Sequence, residues 1–427
     1  MATALRLGSG ASRATWLVSL ADGAERVLRA DTGDGPMAGT ELTLARESGV
    51  YVALAGSAVP IPRLVAATPE GDALLLERAP GTESLDGLDA AARARVMDGY
   101  VDALAALHGL DAARLALPGF ARPTPGDPAR AELALWRGVL DARVTRPAPL
   151  ARFAFAWLER HAPRRADHIS LCHGDVGPGN FLHVGGRVTA LLDWEFAHLG
   201  DPLDDLGWLA FRGHHLQDGI GDFDAQLARW SERTGLPADR PRIAWYRALV
   251  MLRMLVSCQA ALDSGAASLD RTIYFSLTAL LGLLLPRALA ALAGLALEAP
   301  PAPPAPSTSD EAEVLASLAA DLSGVLLPAL PASLQDRARG NLLLLMHLQA
   351  ASRLGASVRS AEGELLARAL GRDEADPLRA LAARVSAAPA AEDERWIRCF
   401  AELGARRIAL WPYLAGLAAK PLARLEA

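Results

Sequence analysis

His173-Gly174-Asp175, with Asn180 five residues after the aspartate and Asp193-Trp194-Glu195 closing the next strand-like run, constrains this chain more than any other feature. The stretch reads LCHGDVGPGNFLHVGGRVTALLDWEFAHLGDPLDDLGW from Leu171 to Trp208. It sets three oxygen-bearing side chains on one loop and its adjoining strand. Phosphoryl transfer from ATP needs that arrangement. One carboxylate orients an attacking hydroxyl and accepts its proton, while a side-chain amide and a second carboxylate hold Mg²⁺ against the phosphates. Few other chemistries do.

Taken singly, these residues read as turn formers. Asp175 is expected to be the base because it stands two after His173, five before Asn180 and just beyond the strand-like run Ile169 to Cys172. Asn180 offers Mg²⁺ a hard oxygen, and Asp193 is expected to chelate it from the far end of a hairpin. His173 is expected to brace the loop. Glu195 reads either as a group reaching a second metal or the substrate, or as a solvent-facing one. Asp201 is expected to cap a helix that starts at Pro202, with Asp205 bracing the catalytic loop from inside that helix.

The 427 residues have room for two or three domains. Half the chain is hydrophobic and the net charge is −6, which excludes gross disorder and leaves no basic field for nucleic acid. Cys172, Cys258 and Cys399 form no CxxC pair, so reduced thiols in a cytoplasmic protein are expected. The apolar run Ile273 to Leu285 ends at Pro286 and reads as a buried helix too short for a bilayer, and MATALRLG has no apolar targeting core. The only lysine is Lys420.

Along the chain, Thr15 to Leu20 and Glu25 to Arg29 read as strands around an Ala21-Asp22-Gly23-Ala24 turn. Thr40 to Leu54 reads as a helix capped by Thr40, Arg63 to Thr68 and Asp72 to Leu76 as strands, and Glu77 to Gly81 as a hinge. Helices are expected over Ala90 to Leu110, Arg130 to Leu140, Leu150 to His161, Ile243 to Leu262 and Arg271 to Leu285, interrupted by a hairpin of Phe181 to Val184 and Arg187 to Leu192. The segment EAPPAPPAPSTS has the composition of a stiff linker. The expected division is 1–80, 81–297, a linker at 298–309, and a helical accessory domain at 310–427 that supports homodimerisation or docking to a partner enzyme.

Gly8-Ser9-Gly10-Ala11-Ser12 precedes a strand, which argues against a Rossmann fingerprint and for a flap over phosphates between two strands. Neither GxxxxGK[ST] nor GxSxG occurs. His214-His215 has no acidic or cysteine partner at ligand spacing and reads as surface or core. Arg29 ends the second strand and Glu47 lies early in the next helix, where a kinase-like fold places its phosphate-gripping cation and the acid that orients it. Arginine can fill that role through a bidentate fork, and the competing reading is an edge-strand arginine in solvent.

HGDVGPGN, LLDWE and GDPLDDL, with VLR, ARE, GSAVPIPR, LLLERAPG and LAALHGLD in the expected order, resemble the aminoglycoside phosphotransferase superfamily over roughly residues 5 to 290. The resemblance implies an α+β, protein-kinase-like two-lobed fold: a small N-terminal sheet lobe and a mainly helical C-terminal lobe, followed here by an all-α segment. It implies ATP and Mg²⁺ as cofactors and Asp175 as base. Asn180 and Asp193 become the metal ligands, and Arg29 with Glu47 the phosphate-gripping pair. Gly8 and Gly10 fall in the flap, and Glu77 and Ala79 on the adenine-side hinge. VLR and DWEFAHLGDP look most like kinase domains related to those fused to certain acyl-CoA dehydrogenases, which act on hydroxyacyl-CoA.

The expected function is transfer of the γ-phosphate to a hydroxyl of a small molecule. The region Pro118 to Pro163, with its arginines, Trp136 and Trp157, suggests an anionic or partly apolar acceptor. The alternatives are a nucleotide-binding regulatory pseudokinase and an antibiotic kinase.

Overall fold

The computed structural model describes residues 3–7, 13–33, 35–213, 220–265, 271–298, 305–307, 309–420, 422 and 425. Five antiparallel strands, β1 (Thr3–Leu7), β2 (Arg13–Ser19), β3 (Glu25–Asp31), β4 (Leu64–Ala67) and β5 (Ala73–Glu77), form a sheet in the order β1-β2-β3-β5-β4. Gly23, at φ 84°, turns the chain between β2 and β3. Their register sets Thr15 opposite Arg29 and Arg13 opposite Asp31. Side chains alternate along a strand, so Arg13 and Arg29 share a face.

Helix α1 (Leu44–Leu54) packs on β4 and β5. The expected start at Thr40 is corrected: Thr43 accepts the Arg46 N–H and caps the helix, while the Thr40 hydroxyl is engaged by Met37 O. Gly49 does not interrupt it, because Val50, Tyr51 and Leu54 anchor its buried face.

The second lobe begins with α2 (Ala90–His108), α3 (Arg130–Arg143) and α4 (Pro149–Arg160). The stretch that carries Asp175, Asn180 and Asp193 follows as β6 (Ser170–Cys172), the hairpin β7 (Phe181–Val184) and β8 (Arg187–Leu191), and β9 (His198–Gly200). β9 pairs with β6 and is too short to show a period in sequence. Helix α5 (Leu203–Phe211) starts one residue later than expected, with Pro202 as the half-in residue. Asp201 still caps, accepting the Leu203 N–H at 3.1 Å. The lobe is completed by α6 (Phe223–Thr234), α7 (Arg240–Asp263) and α8 (Arg271–Leu292), with α7 packed on α5, α3 and α8.

Helix α8 continues past Pro286, where the sequence reading ended it. Proline cannot donate to the carbonyl four residues back, here that of Gly282. That carbonyl lies against Gly404 of α13 (Asp393–Arg407): a Cβ added at Gly404 would stand 2.3 Å from it. Packing of the C-terminal helices thus covers the break. These are α9 (Asp310–Asp321), α10 (Leu327–Ala329), α11 (Ala332–Leu370), α12 (Pro377–Ser386), α13 and α14 (Ala415–Ala418). α12 lies on α4 and α13 on α8. One core runs through both parts, with the Phe153 and Phe400 rings tilted against each other at 5.5 Å.

Among the described residues, two helices are long and apolar enough to cross a membrane: Arg271–Leu292, half buried in the molecule, and Asp310–Ala329, mostly exposed. The expectation that the first is too short is therefore corrected, since the run extends through Pro286.

Candidate active site

The loop that carries Asp175 is held from beneath. Asp205, fully buried in the first turns of α5, accepts the backbone N–H of His173 at 2.7 Å and of Gly174 at 2.9 Å. His108 Nε2 meets its other side at 2.9 Å, and Trp230 Nε1 donates to His108 Nδ1. Burial pushes this carboxyl up, but the hydrogen bond from His108 and the backbone donors outweigh burial and hold it at about 2. Gly174 is required here, because at φ 83° its Cβ position lies 2.1 Å from Phe196 O. His173 braces as expected: Nε2 donates to Leu192 O at 2.7 Å, and Nδ1 accepts from Asp175 N.

Asp175 stands on this platform. Asn180 Nδ2 donates to its carboxylate at 2.7 Å and to its carbonyl at 2.7 Å. Burial raises the Asp175 pKa above the ordinary carboxylate value, and Arg212 works against that shift. The Arg212 guanidinium is 3.7 Å from Asp175 and donates to Pro178 O. The sequence reading missed Arg212. It stands seven residues after Asp205, two helical turns on the face that looks at the loop, and that spacing was the available signal. Tyr100 was missed too; its hydroxyl accepts the Gly177 N–H at 2.9 Å.

The β7–β8 hairpin brings the metal-ligand candidates together. Leu192 N–H donates to Asn180 O at 2.8 Å, so Asn180 and Asp193 are neighbours across the hairpin. Asp193 is the only described non-glycine residue with positive φ, at 62°. Such backbone strain concentrates at functional sites, and aspartate tolerates this region better than most residues. Two hard oxygen donors suit Mg²⁺, which completes its shell with phosphate oxygens and water. No free-standing cage of three or more acidic, histidine or cysteine residues occurs among the described residues.

Arg29 ties the lobes together. Its Nε lies 3.1 Å from Glu47 Oε1, and its Nη2 lies 2.8 Å from Asp193 Oδ1. Burial disfavours its charge, but Glu47 and Asp193 outweigh burial and keep it protonated. The solvent-exposed reading of Arg29 is thereby overturned: only 12% of its side chain is accessible. Glu195 is half-buried and is pushed up to about 8 by burial and then by Asp193, with the charges of Arg13 and Arg29 working against that shift.

Glu77 pairs with Arg63 at the end of β5. Beyond Ala79, the hinge is tied to the second lobe by Thr189 Oγ1 donating to Pro80 O and by a bridge between Thr82 and His183. Gly8, Gly10 and His214-His215 lie outside the described residues.

The Pro118–Pro163 region requires a correction. Trp136 and Trp157 are each only 2% exposed and belong to the core. Its arginines are engaged elsewhere: Arg137 with Glu159, Arg152 with Asp141, Arg160 with Asp393, and Arg143 with the carbonyls of Gly35 and Pro36. A cavity of about 420 Å³ among α3, β9 and Arg46 is lined by none of Asp175, Asn180, Asp193 or Arg29. The cation beside Asp175 is Arg212.

A two-lobed kinase-like fold with a half-buried carboxylate, Asp175, on a braced loop and an Arg–Glu–Asp bridge between the lobes is that of a phosphotransferase. The chain belongs to the phosphotransferase enzyme family (APH), whose model matches residues 3–274. It is 28% identical over 215 residues to mouse acyl-CoA dehydrogenase family member 10, covering 48% of this chain and 20% of the mouse protein. It is 34% identical over 110 residues to chicken acyl-CoA dehydrogenase family member 11, covering 25% and 14% of the two chains. The chain thus spans a fifth or less of these relatives. A solved Ralstonia eutropha structure assigned to the aminoglycoside phosphotransferases is 25% identical with a TM-score of 0.50, covering 65% of this chain and 88% of that one.

Proposed function

We propose that this protein transfers the γ-phosphate of ATP, with Mg²⁺, to a hydroxyl of a small anionic or partly apolar metabolite, a hydroxyacyl-CoA being the first class to test. The observation that carries the reading is the joined geometry of Asp175, Asn180, Asp193, Arg29 and Glu47. Asp175 would orient the acceptor hydroxyl and take its proton. Arg29 would turn from Asp193 toward phosphate oxygens while Glu47 keeps it in place. Asn180 and Asp193 would hold Mg²⁺, which when bound offsets charge on the phosphates. Positioning and electrostatics supply most of the rate in such transfers.

Arg212 beside the base supports an anionic acceptor. The likeness to acyl-CoA dehydrogenase family members supports the acyl class. Cytoplasmic residence is part of the proposal and is supported by three free, buried cysteines. So is association through the C-terminal helices with a second copy or a partner enzyme, motivated by exposed Val314, Leu318, Val325 and Leu326; sedimentation over a concentration series tests it.

The deciding experiment measures ADP release by the purified chain with a hydroxyacyl-CoA panel and with aminoglycosides and macrolides. Acceptor-stimulated turnover by hydroxyacyl-CoA that falls roughly 10²–10⁴-fold in Asp175→Asn supports the reading. Turnover with an antibiotic alone moves the acceptor to the antibiotic class. Nucleotide binding without any stimulated turnover, unchanged by Asp175→Asn, leaves a regulatory pseudokinase.

A further inference from the structure

The helices that follow the family match do more than cover α8. Between them and α7–α8 lies a cavity of about 500 Å³, inside the ~300–1,000 Å³ range of small-molecule sites. Its walls come from both sides of the junction. Leu255 and Gln259 of α7 and Phe275 and Thr278 of α8 face Phe400 of α13 and Trp411, which follows it. None of the phosphoryl-transfer residues lines it, so its occupant is a separate question.

Three observations define that occupant. The walls are mostly aliphatic and aromatic, with His347 stacked 3.8 Å from Trp411 and its Nδ1 donating to Leu410 O. Next, Gln259 Oε1 and Thr278 Oγ1 are buried without a hydrogen-bond partner. A buried acceptor and a buried hydroxyl left unpaired on two adjoining helices call for a group that both accepts and donates. Finally, three arginines line the cavity. Arg146 pairs with Asp263, and Arg407 is held by Glu362 at 2.8 and 3.2 Å. Arg359, exposed on α11, makes no ion pair among the described residues.

We propose that this cavity binds an amphipathic carboxylic acid. Its carboxylate would sit at Arg359 and its chain along the apolar walls, with a terminal hydroxyl reaching Gln259 and Thr278. A chain of roughly eight to ten carbons, at about the ~30 Å³ of a water molecule per methylene, fills about half of the space or a little more. The hydroxyl donates to Gln259 Oε1 and accepts from Thr278, and the guanidinium holds the carboxylate through a charge-assisted bond. Such a ligand would pin the C-terminal helices to the phosphotransferase lobe, because both contribute walls.

Isothermal titration of the full-length protein with 10-hydroxydecanoate, decanoate and 1-decanol tests this. The expected result is one saturable site. 10-Hydroxydecanoate should bind about tenfold tighter than decanoate, a factor within reach of one satisfied buried hydrogen bond. 1-Decanol should bind more weakly than 10-hydroxydecanoate. Thr278→Val should erase the preference for the hydroxylated acid. Arg359→Glu, at an exposed position where folding is not at stake, should weaken both acids by about tenfold or more. Ala351→Trp, which fills the cavity, should abolish binding while melting curves report that the fold persists. Absence of saturable binding by the unsubstituted protein overturns the proposal. So does binding that is indifferent to Arg359→Glu and Ala351→Trp, or equal affinity for decanoate and its hydroxylated form.

Discussion

Arg29 shows how one side chain can set the condition of a whole site. It meets Glu47 and Asp193 from a position where only 12% of it is accessible, so its charge is kept by its partners rather than by water. Arg29→Ala is expected to lower kcat/KM for ATP by about 10²–10³, the usual cost of deleting one aimed charge donor. Arg29→Lys should recover part of that loss, since an ammonium keeps the charge but not the fork. Steady-state kinetics of the two variants check both outcomes. Asp205 is the other decisive residue. Its carboxyl lies near 2 in the folded protein against an ordinary value of 3.8. A depressed carboxyl stabilises the fold above the unfolded value, and that stabilisation is lost as pH falls through the folded value. Asp205→Ala should therefore cost about 3–5 kcal/mol near neutral pH, because it strands buried donors and His108. The cost should shrink as pH drops from about 4 toward 2, as denaturant melts across that range would register.

Elements depart from the sequence reading where a neighbour supplies what the local code lacks. Helix α8 passes Pro286 because α13 lies over the freed Gly282 carbonyl. Only glycine at position 404 allows that approach. Gly404→Ala should force α13 away and cost about 1–3 kcal/mol, the typical penalty of overpacking, and thermal melting would report it. The start of α1 obeys a subtler rule. Thr40 and Thr43 are both good caps, and only the turn at Met37 engages the first and leaves the second to the helix. At the hairpin, the strained backbone of Asp193 arises where β8 ends and the chain must turn its carboxylate toward Arg29.

At the scale of the whole molecule, the core does not stop at the end of the family match. Trp396, Phe400 and Leu403 belong to the same cluster as Phe153 and Leu284. A chain truncated after residue 298 should expose that surface and aggregate, which size-exclusion chromatography would show as loss of a monodisperse peak. Much of the site was legible in the residues. The spacing of His173, Asp175, Asn180 and Asp193 lies within one hairpin and its loop, so local backbone geometry brings these side chains together. Asp205's place early in its helix likewise foretold that it points at the loop, whereas Arg29's strand position left a solvent-facing reading open, which only its burial against Glu47 and Asp193 closed. What the sequence could not determine was what lies opposite each residue. Trp136, Trp157 and the arginines of Pro118–Pro163 looked like an acceptor wall and proved to be core and ion-paired surface. Arg212 was not singled out in the sequence and lies 3.7 Å from Asp175. Spacing along one element determines direction, because strand and helix periods are local. Partnership across elements depends on burial and register, and only the tertiary structure decides those.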